Sequence, residues 1–386
     1  MIKVGLFIDT FYPMVDGVIE VVHNYASRLN ADEEFEVTVF CPRHGKHYVD
    51  DFPYKVVRCK SVRIFFLDYK LPMPKLDKKF KRILKESNLD IVHIHSPFMI
   101  GEMGIKYARK NNIPVIATMH SQFEQDFYRA THSKFITKQL LKRVMRVFNS
   151  CDEYYAVSPA VSEVFLEYGA KHKPLYMYSG TDMTPVENRE EVIARVNAEY
   201  GIPSDMPVFF FVGRISVLKN IFFLVDALSK LENKYYKFII AGDGKDMPAL
   251  KKRVSENGLD GNVIYLGRVS DREQLRRLYC RATLFLFPSL YDTNSLVQKE
   301  AASQSTPTVF IEGAVTASNV TDGVNGFIAE ATADAYARKI QTVLSDEELL
   351  KSVRAGAKRD LYRTWDEAVD ELKVVYRQTV VDKNKS

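Results

Sequence analysis

At 386 residues, 46% of them hydrophobic and 27% charged, the chain is longer than one ordinary hydrophobic core needs, and two domains are expected. No apolar run approaches the ~20 residues that cross a bilayer, which excludes a helical membrane span at the level of sequence. The net charge of +5 divides into +6 over residues 1–178 and −1 over the remainder, so the first half is the side expected to face an acidic partner or surface. No nucleic-acid-binding module or strongly basic domain is present, and nucleic acid is not an expected partner.

The opening MIKVGLFIDTF is apolar but soon meets Asp9, and reads as a first core strand rather than a signal peptide. Further strands are predicted at 36–40, 54–59, 91–95, 115–118 and 153–157, with helices at 18–29, 76–86, 101–111 and 133–148. This alternation argues a parallel α/β sheet. A polar, Pro-containing stretch at 181–207 reads as a break. The pattern then restarts, with strands at 208–212, 237–241, 263–266, 283–287 and 308–311. Residues 365–378 read as a terminal amphipathic helix. The four cysteines, Cys41, Cys59, Cys151 and Cys280, form no CxxC pair, which fits a reduced, cytosolic compartment.

The most informative stretch is FPSLYDTNSLVQKEAASQSTPTV, residues 287–309. Asp292 lies in a loop before a predicted helix, and Glu300 about two turns inside it. The backbone N–H groups of Asn294, Ser295, Leu296 and Val297 open that helix, where a phosphate is readily held. A carboxylate at each end and an anion seat between them suit a nucleoside diphosphate sugar. Asp292 would accept from sugar hydroxyls, or else form an Asx turn or helix cap. Glu300 would accept from two ribose hydroxyls, or lie on a helix surface.

Arg214 and Lys219 flank a turn after an apolar strand. They would converge on a diphosphate, or be two solvated charges. Gly17, Gly242 and Gly244 follow strands and would let backbone approach a ligand, or serve ordinary turns. His120 ends the apolar run VIATM and should stand at the edge of the first sheet, as a ligand contact or a satisfied core histidine. His93 and His95 share a strand face without a clear third ligand, so no metal site is expected.

Residues 287–309 resemble the Glu-x7-Glu signature of the family 4 retaining glycosyltransferases. FIDTFYPMVDGV, HIHSPFMIGEMG, ATMH ending at His120, GRISVLKN at 213–220 and AGDG at 241–244 resemble other motifs of the family, in family order. SVRIFFLDYKLPMP at 61–74 is similar to the diacylglycerol glucosyltransferase branch. Three positions depart from the pattern: Asp292 replaces Glu, and Ser295 and Ser305 replace Gly.

The resemblance implies a GT-B fold, with two Rossmann-like domains facing across a cleft. Residues 1–180 would be the acceptor domain and 181–364 the donor domain, with 365–386 crossing back to the first. It also implies metal-independent transfer of a hexose from a nucleotide sugar, expected to be UDP-glucose, to a lipid such as diacylglycerol or glycosyl-diacylglycerol. Arg214 and Lys219 would hold the diphosphate, Glu300 the ribose, and His120 and Asp292 the transferred sugar. A saccharide or polyprenyl-linked acceptor, and a GT-B-like binding protein without turnover, are the alternatives.

Residues 129–148 contain no acid. Lys134, Lys138, Lys142 and Arg146 recur at helical spacing beside Arg143, with Phe135, Ile136, Leu140, Leu141, Val144, Met145 and Phe148 as apolar surface. This pattern fits an interfacial helix on anionic lipid, or an amphipathic helix with a solvated cationic face. The aromatic segment 64–69 and Lys78, Lys79, Lys81, Arg82 and Lys85 support the former, and with it a peripheral position on the inner face of the cell membrane.

Overall fold

A computed structural model describes residues 1–14, 16–45, 48–63 and 70–385. The aromatic segment 64–69 lies outside them. The chain divides into two compact units, Met1–Ser179 with Trp365–Ser386, and Gly180–Thr364.

The first unit begins β1 (Ile2–Phe7), α1 (Gly17–Asn30), β2 (Phe35–Pro42), β3 (Lys55–Cys59), β4 (Ser61–Arg63), β5 (Lys70–Pro72) and α2 (Lys78–Glu86). It continues β6 (Ile91–Ile94), α3 (Met99–Asn111), β7 (Val115–Met119), α4 (Phe123–Thr131), α5 (Lys134–Phe148), β8 (Glu153–Ala156), α6 (Pro159–Glu167) and β9 (Leu175–Tyr176). Seven parallel strands pair in the order β3-β2-β1-β6-β7-β8-β9, and β4 and β5 form a separate antiparallel hairpin. β6 and β7 are buried throughout, as expected where crossover helices cover both sheet faces.

The second unit holds α7 (Arg189–Tyr200), β10 (Val208–Val212), α8 (Ile221–Ser229), β11 (Lys237–Ala241), α9 (Met247–Glu256), β12 (Val263–Gly267) and α10 (Arg272–Arg281). β13 (Leu284–Phe287), α11 (Leu296–Ser303), β14 (Thr308–Ile311), β15 (Phe327–Ala329), α12 (Ala333–Ser345) and α13 (Glu347–Leu361) complete it. Its six parallel strands run β12-β11-β10-β13-β14-β15. The run VFFFV of β10 is central. Phe209 and Phe211 face one buried cluster, Phe210 the other. Truncating one of these rings to Ala should cost about 3–5 kcal/mol.

α14 (Trp365–Lys385) belongs to the first unit. Trp365 meets the Tyr25 ring edge-on, and Arg28–Asp366, Lys373–Asp32 and Arg377–Glu34 ion pairs line its seam with α1 and the turn after it.

The structure corrects the sequence reading in three places. The stretch 181–207 is not simply a break, because it contains α7. Only Val196 of that helix is fully buried, so its apolar periodicity is faint. The helix expected at 133–148 is preceded by α4, which ends at His132 in a left-handed conformation (φ 48°). Ser133 then caps α5. The helix expected from residue 76 begins at Lys78, where Asp77 accepts from the Lys79 and Phe80 amides.

Candidate active site

In the second unit, successive strands leave β10 in opposite directions, β11 on one side and β13 on the other. Ligands of open α/β sheets bind beyond the strand ends at such a reversal. Arg214 and Lys219 follow β10, Gly242 follows β11, and Asp292 follows β13. Arg214 is exposed. Lys219 Nζ donates to Asp292 Oδ1 at 2.5 Å, while Asp292 Oδ2 is buried without a hydrogen-bond partner. The carboxylate assigned to sugar hydroxyls is thus already tied to a cation assigned to diphosphate.

α11 begins at Leu296, so Glu300 is its fifth residue, little more than one turn in rather than two. Ser295 caps the helix, its Oγ accepting from Gln298 N at 3.0 Å. The amides of Leu296 and Val297, in the first turn, have no intrahelical acceptor. The serine at a family glycine position is therefore accommodated as a cap, with φ −92°. Asn294, just before it, accepts from Lys299 Nζ at 3.1 Å.

Glu300 is buried, and each of its carboxylate oxygens has one protein donor. Arg272 Nη1 donates to Oε1 at 2.8 Å and the Tyr279 hydroxyl to Oε2 at 3.0 Å. Burial raises its pKa, and these two partners pull against that rise. Arg272 also reaches Asp182 at 3.1 Å. Neither Arg272 nor Tyr279 was legible as a site residue, since each comes from a different turn of α10 and no spacing links it to Glu300. Each carboxylate oxygen keeps a second lone pair, which is what ribose hydroxyls would use.

Gly242 and Gly244 stand in close contact with crossing backbone. A Cβ on Gly242 would stand 1.9 Å from Gly213 O, and one on Gly244 2.1 Å from Ile215 O. They make room for the crossing backbone. Gly213 N donates to Ala241 O and Ile215 N to Asp243 O, which clamps the segment bearing Arg214. Gly17, by contrast, opens α1 with nothing within 4 Å of an added Cβ, beside Asp16, which caps that helix. Ser305 adopts φ 55° just after α11, and this explains why glycine suits the position.

In the first unit, the strand order reverses between β1 and β6, and His95 and His120 follow β6 and β7. His95 Nδ1 and His120 Nε2 are 3.0 Å apart. His93 is enclosed by two hydroxyls, Tyr376 at 2.8 Å and Thr118 at 2.7 Å. Burial pushes His120 down to about 3, so it is a neutral imidazole at physiological pH. Among the described residues no group of three His, Cys, Asp or Glu side chains is arranged to hold a metal ion.

The basic stretch is narrower as an apolar surface than its sequence implied. Leu141, Val144, Met145 and Phe148 are buried in the core. Lys134, Lys138, Lys142, Arg143 and Arg146 are exposed, and so are Phe135 and Ile136 at the start of α5 (71% and 46%). Glu102 of α3 pairs with Arg143 at 3.1 Å and with Lys75, just before α2, at 3.8 Å. No helix among the described residues is long and apolar enough to cross a membrane.

The two Rossmann-like sheets and these motifs define a glycosyltransferase, and the chain belongs to the group 1, family 4 glycosyltransferases. Residues 193–360 match the family described as glycosyl transferases group 1, and residues 15–184 match glycosyltransferase family 4. The chain is 28% identical over 346 residues to the alpha-monoglucosyldiacylglycerol synthase of Acholeplasma laidlawii, covering 84% of each. It superposes on the sucrose-phosphate synthase of Thermosynechococcus elongatus with a TM-score of 0.83 at 19% identity, covering 99% of this chain and 100% of that one. Anabaena Alr3699/HepE, solved in complex with UDP-glucose, gives 0.74 at 16% identity over 100% of both chains. The fold is GT-B, as the motifs implied, and the protein is an enzyme of the hexosyltransferase class.

Proposed function

We propose that this enzyme transfers a hexosyl group, with retention, from a nucleotide sugar to the hydroxyl of a membrane lipid such as diacylglycerol or glycosyl-diacylglycerol. The observation that carries the reading is that Arg214 and Lys219 follow β10 while Asp292 and α11, which bears Glu300, follow its neighbour β13, with Lys219 and Asp292 bonded across the two strand ends. A nucleoside diphosphate matches that order of charges: cations and helix amides for phosphate, a carboxylate on either side for hydroxyls. The Acholeplasma relative supports the lipid acceptor and the UDP-glucose complex of HepE the donor. UDP-glucose is the first donor to assay.

In this reading the bond from the sugar anomeric carbon to the diphosphate breaks as the acceptor oxygen bonds to the same face. The acceptor proton passes to a β-phosphate oxygen. Arg214, Lys219 and the α11 amides stabilise the charge left on the nucleoside diphosphate, and no protein nucleophile or metal is required. His120 contributes as a neutral hydrogen-bonding group. The exposed cations and apolar tip of α5 serve to hold the enzyme on anionic lipid, at the inner face of the cell membrane.

Purified protein assayed against a nucleotide-sugar panel, with native lipid extract and with oligosaccharides as acceptors, tests this. Product in the lipid phase, resistant to a chelator, is expected. Product only on oligosaccharides would overturn the acceptor, and donor binding without transfer or hydrolysis would leave a binding protein.

A further inference from the structure

Lys299 carries a charge that the site described so far does not use. It stands four positions after the cap Ser295, and helical side chains lean toward the N-terminus, so its ammonium returns to the first turn of α11. There it donates to Asn294 Oδ1, a neutral acceptor, in its one hydrogen bond among the described residues. The residue is only 7% exposed. Among the described residues no carboxylate pairs with it. Burial pushes its pKa down to about 8, with the neighbouring cation Arg363 adding to the shift, so most of it is still protonated at neutral pH.

An ammonium has three donors, and a buried charge is costly unless it is paired. Two donors of Lys299 remain, beside a helix end that itself favours negative charge. The partner Asn294 belongs to the loop carrying Asp292, the group assigned to sugar hydroxyls. It does not belong to residues 213–220, assigned to the diphosphate. Those residues already supply two cations for the phosphates. The anion missing from Lys299 is therefore sought on the sugar.

We infer that Lys299 binds a carboxylate on the transferred sugar, so that the preferred donor is a nucleotide hexuronate. The inference rests on the donor-site reading above and narrows its hexosyl group. A carboxylate would accept charge-assisted hydrogen bonds from the two remaining donors, where a neutral hydroxyl would leave the ammonium buried without a counter-charge.

Calorimetric titration of the full chain with UDP, UDP-glucose and UDP-glucuronate tests it, with Lys299→Met and Lys299→Arg alongside. UDP-glucuronate should bind wild type at least tenfold more tightly than UDP-glucose. Lys299→Met should erase that preference and leave UDP affinity within about twofold, while Lys299→Arg keeps part of it. Equal affinity of wild type for the two sugars would overturn the inference and leave the donor site standing. So would a Lys299→Met variant that loses UDP itself, since the ammonium would then belong to the diphosphate. Failure of wild type to bind any of the three would overturn the donor-site reading, and this inference with it.

Discussion

Lys219 and Asp292 form a 2.5 Å ion pair between the turn after β10 and the loop after β13. A diphosphate that recruits Lys219 must compete with Asp292 for the same ammonium, whereas Arg214 is exposed and among the described residues has no ion pair. Arg214→Ala should therefore weaken UDP binding by about 1.5–3 kcal/mol, the worth of a charge-assisted contact, and Lys219→Ala by less. Asp292→Asn should leave UDP affinity equal or higher while lowering transfer, and Asp292→Glu should retain or raise activity. Calorimetry beside a transfer assay checks this. Unchanged UDP affinity in both cation variants would remove them from the site.

The Glu300 network predicts a coupled loss. Glu300→Gln removes the charge that Arg272 meets and weakens the acceptor of the Tyr279 hydroxyl. Arg272 is half exposed, so solvent screening limits the stability cost to roughly 1–2 kcal/mol. Binding of a nucleoside diphosphate should fall as well if, as proposed, the ribose uses the same carboxylate. Thermal melts with and without UDP separate the two effects. A variant with wild-type UDP affinity would show that Glu300 only braces α10 against α11.

Ser305 offers a gain in stability. Its left-handed backbone costs a residue with a Cβ on the order of 1 kcal/mol, and glycine is free of that cost. Ser305→Gly should raise unfolding free energy by about that amount with no change in donor binding. Denaturant midpoints at equal slope provide the measurement, and a destabilised variant would contradict the backbone argument.

Acid should weaken the first unit before ordinary carboxylates titrate. His93, His95 and His120 are buried and their pKa values lie below the unfolded value of about 6.5, His120 near 3. The unfolded chain therefore binds more protons. The stability these groups contribute is complete above pH 6.5 and is lost as pH falls toward their folded values. For His120 alone the loss between pH 7 and 5 is about 2 kcal/mol. Melting temperature across that range should fall less steeply in His120→Asn than in wild type. Parallel profiles would mean that His120 takes up its proton in the folded protein.

Membrane attachment should depend on the exposed cations of α5. Replacing Lys134, Lys138, Lys142 and Arg146 together should reduce binding to anionic vesicles, at ~1 kcal/mol for each cation near the surface. One-molar salt should mimic this, since the Debye length falls to ~3 Å. Phe135→Ser with Ile136→Ser should weaken binding further at fixed charge. Equal sedimentation with vesicles by wild type and the fourfold variant would leave this helix as a solvated face.

The fold was largely legible because both sheets are parallel and their central strands are buried, so runs such as VFFFV and VIATM stand out at any distance from their partners. α7 was missed because a helix with one fully buried residue leaves almost no periodic trace. In the site, motif spacing put Arg214 and Lys219 after β10, Asp292 after β13 and Glu300 on α11, which is where the structure has them, with Glu300 one turn nearer the helix start than expected. It gave no sign of the constraint on Gly242, which comes from backbone crossing 29 residues earlier in the chain, at Gly213. Arg272, Tyr279 and the burial of Lys299 were invisible for the same reason: each depends on which helix lies beside α11, and the chain does not write that locally.

The return of α14 to α1 bears on how the protein is made. During synthesis, β1 to β9 emerge first, yet His93 then lacks the Tyr376 hydroxyl and Tyr25 lacks the Trp365 ring. Residues 180–364 must be translated before either arrives, which at ~5–20 residues per second takes roughly ten to forty seconds. The second unit can thus fold on the ribosome as an uninterrupted segment, while the first unit waits with a buried histidine and an apolar helix face uncovered. A chaperone that attends nascent chains would meet this protein at α1.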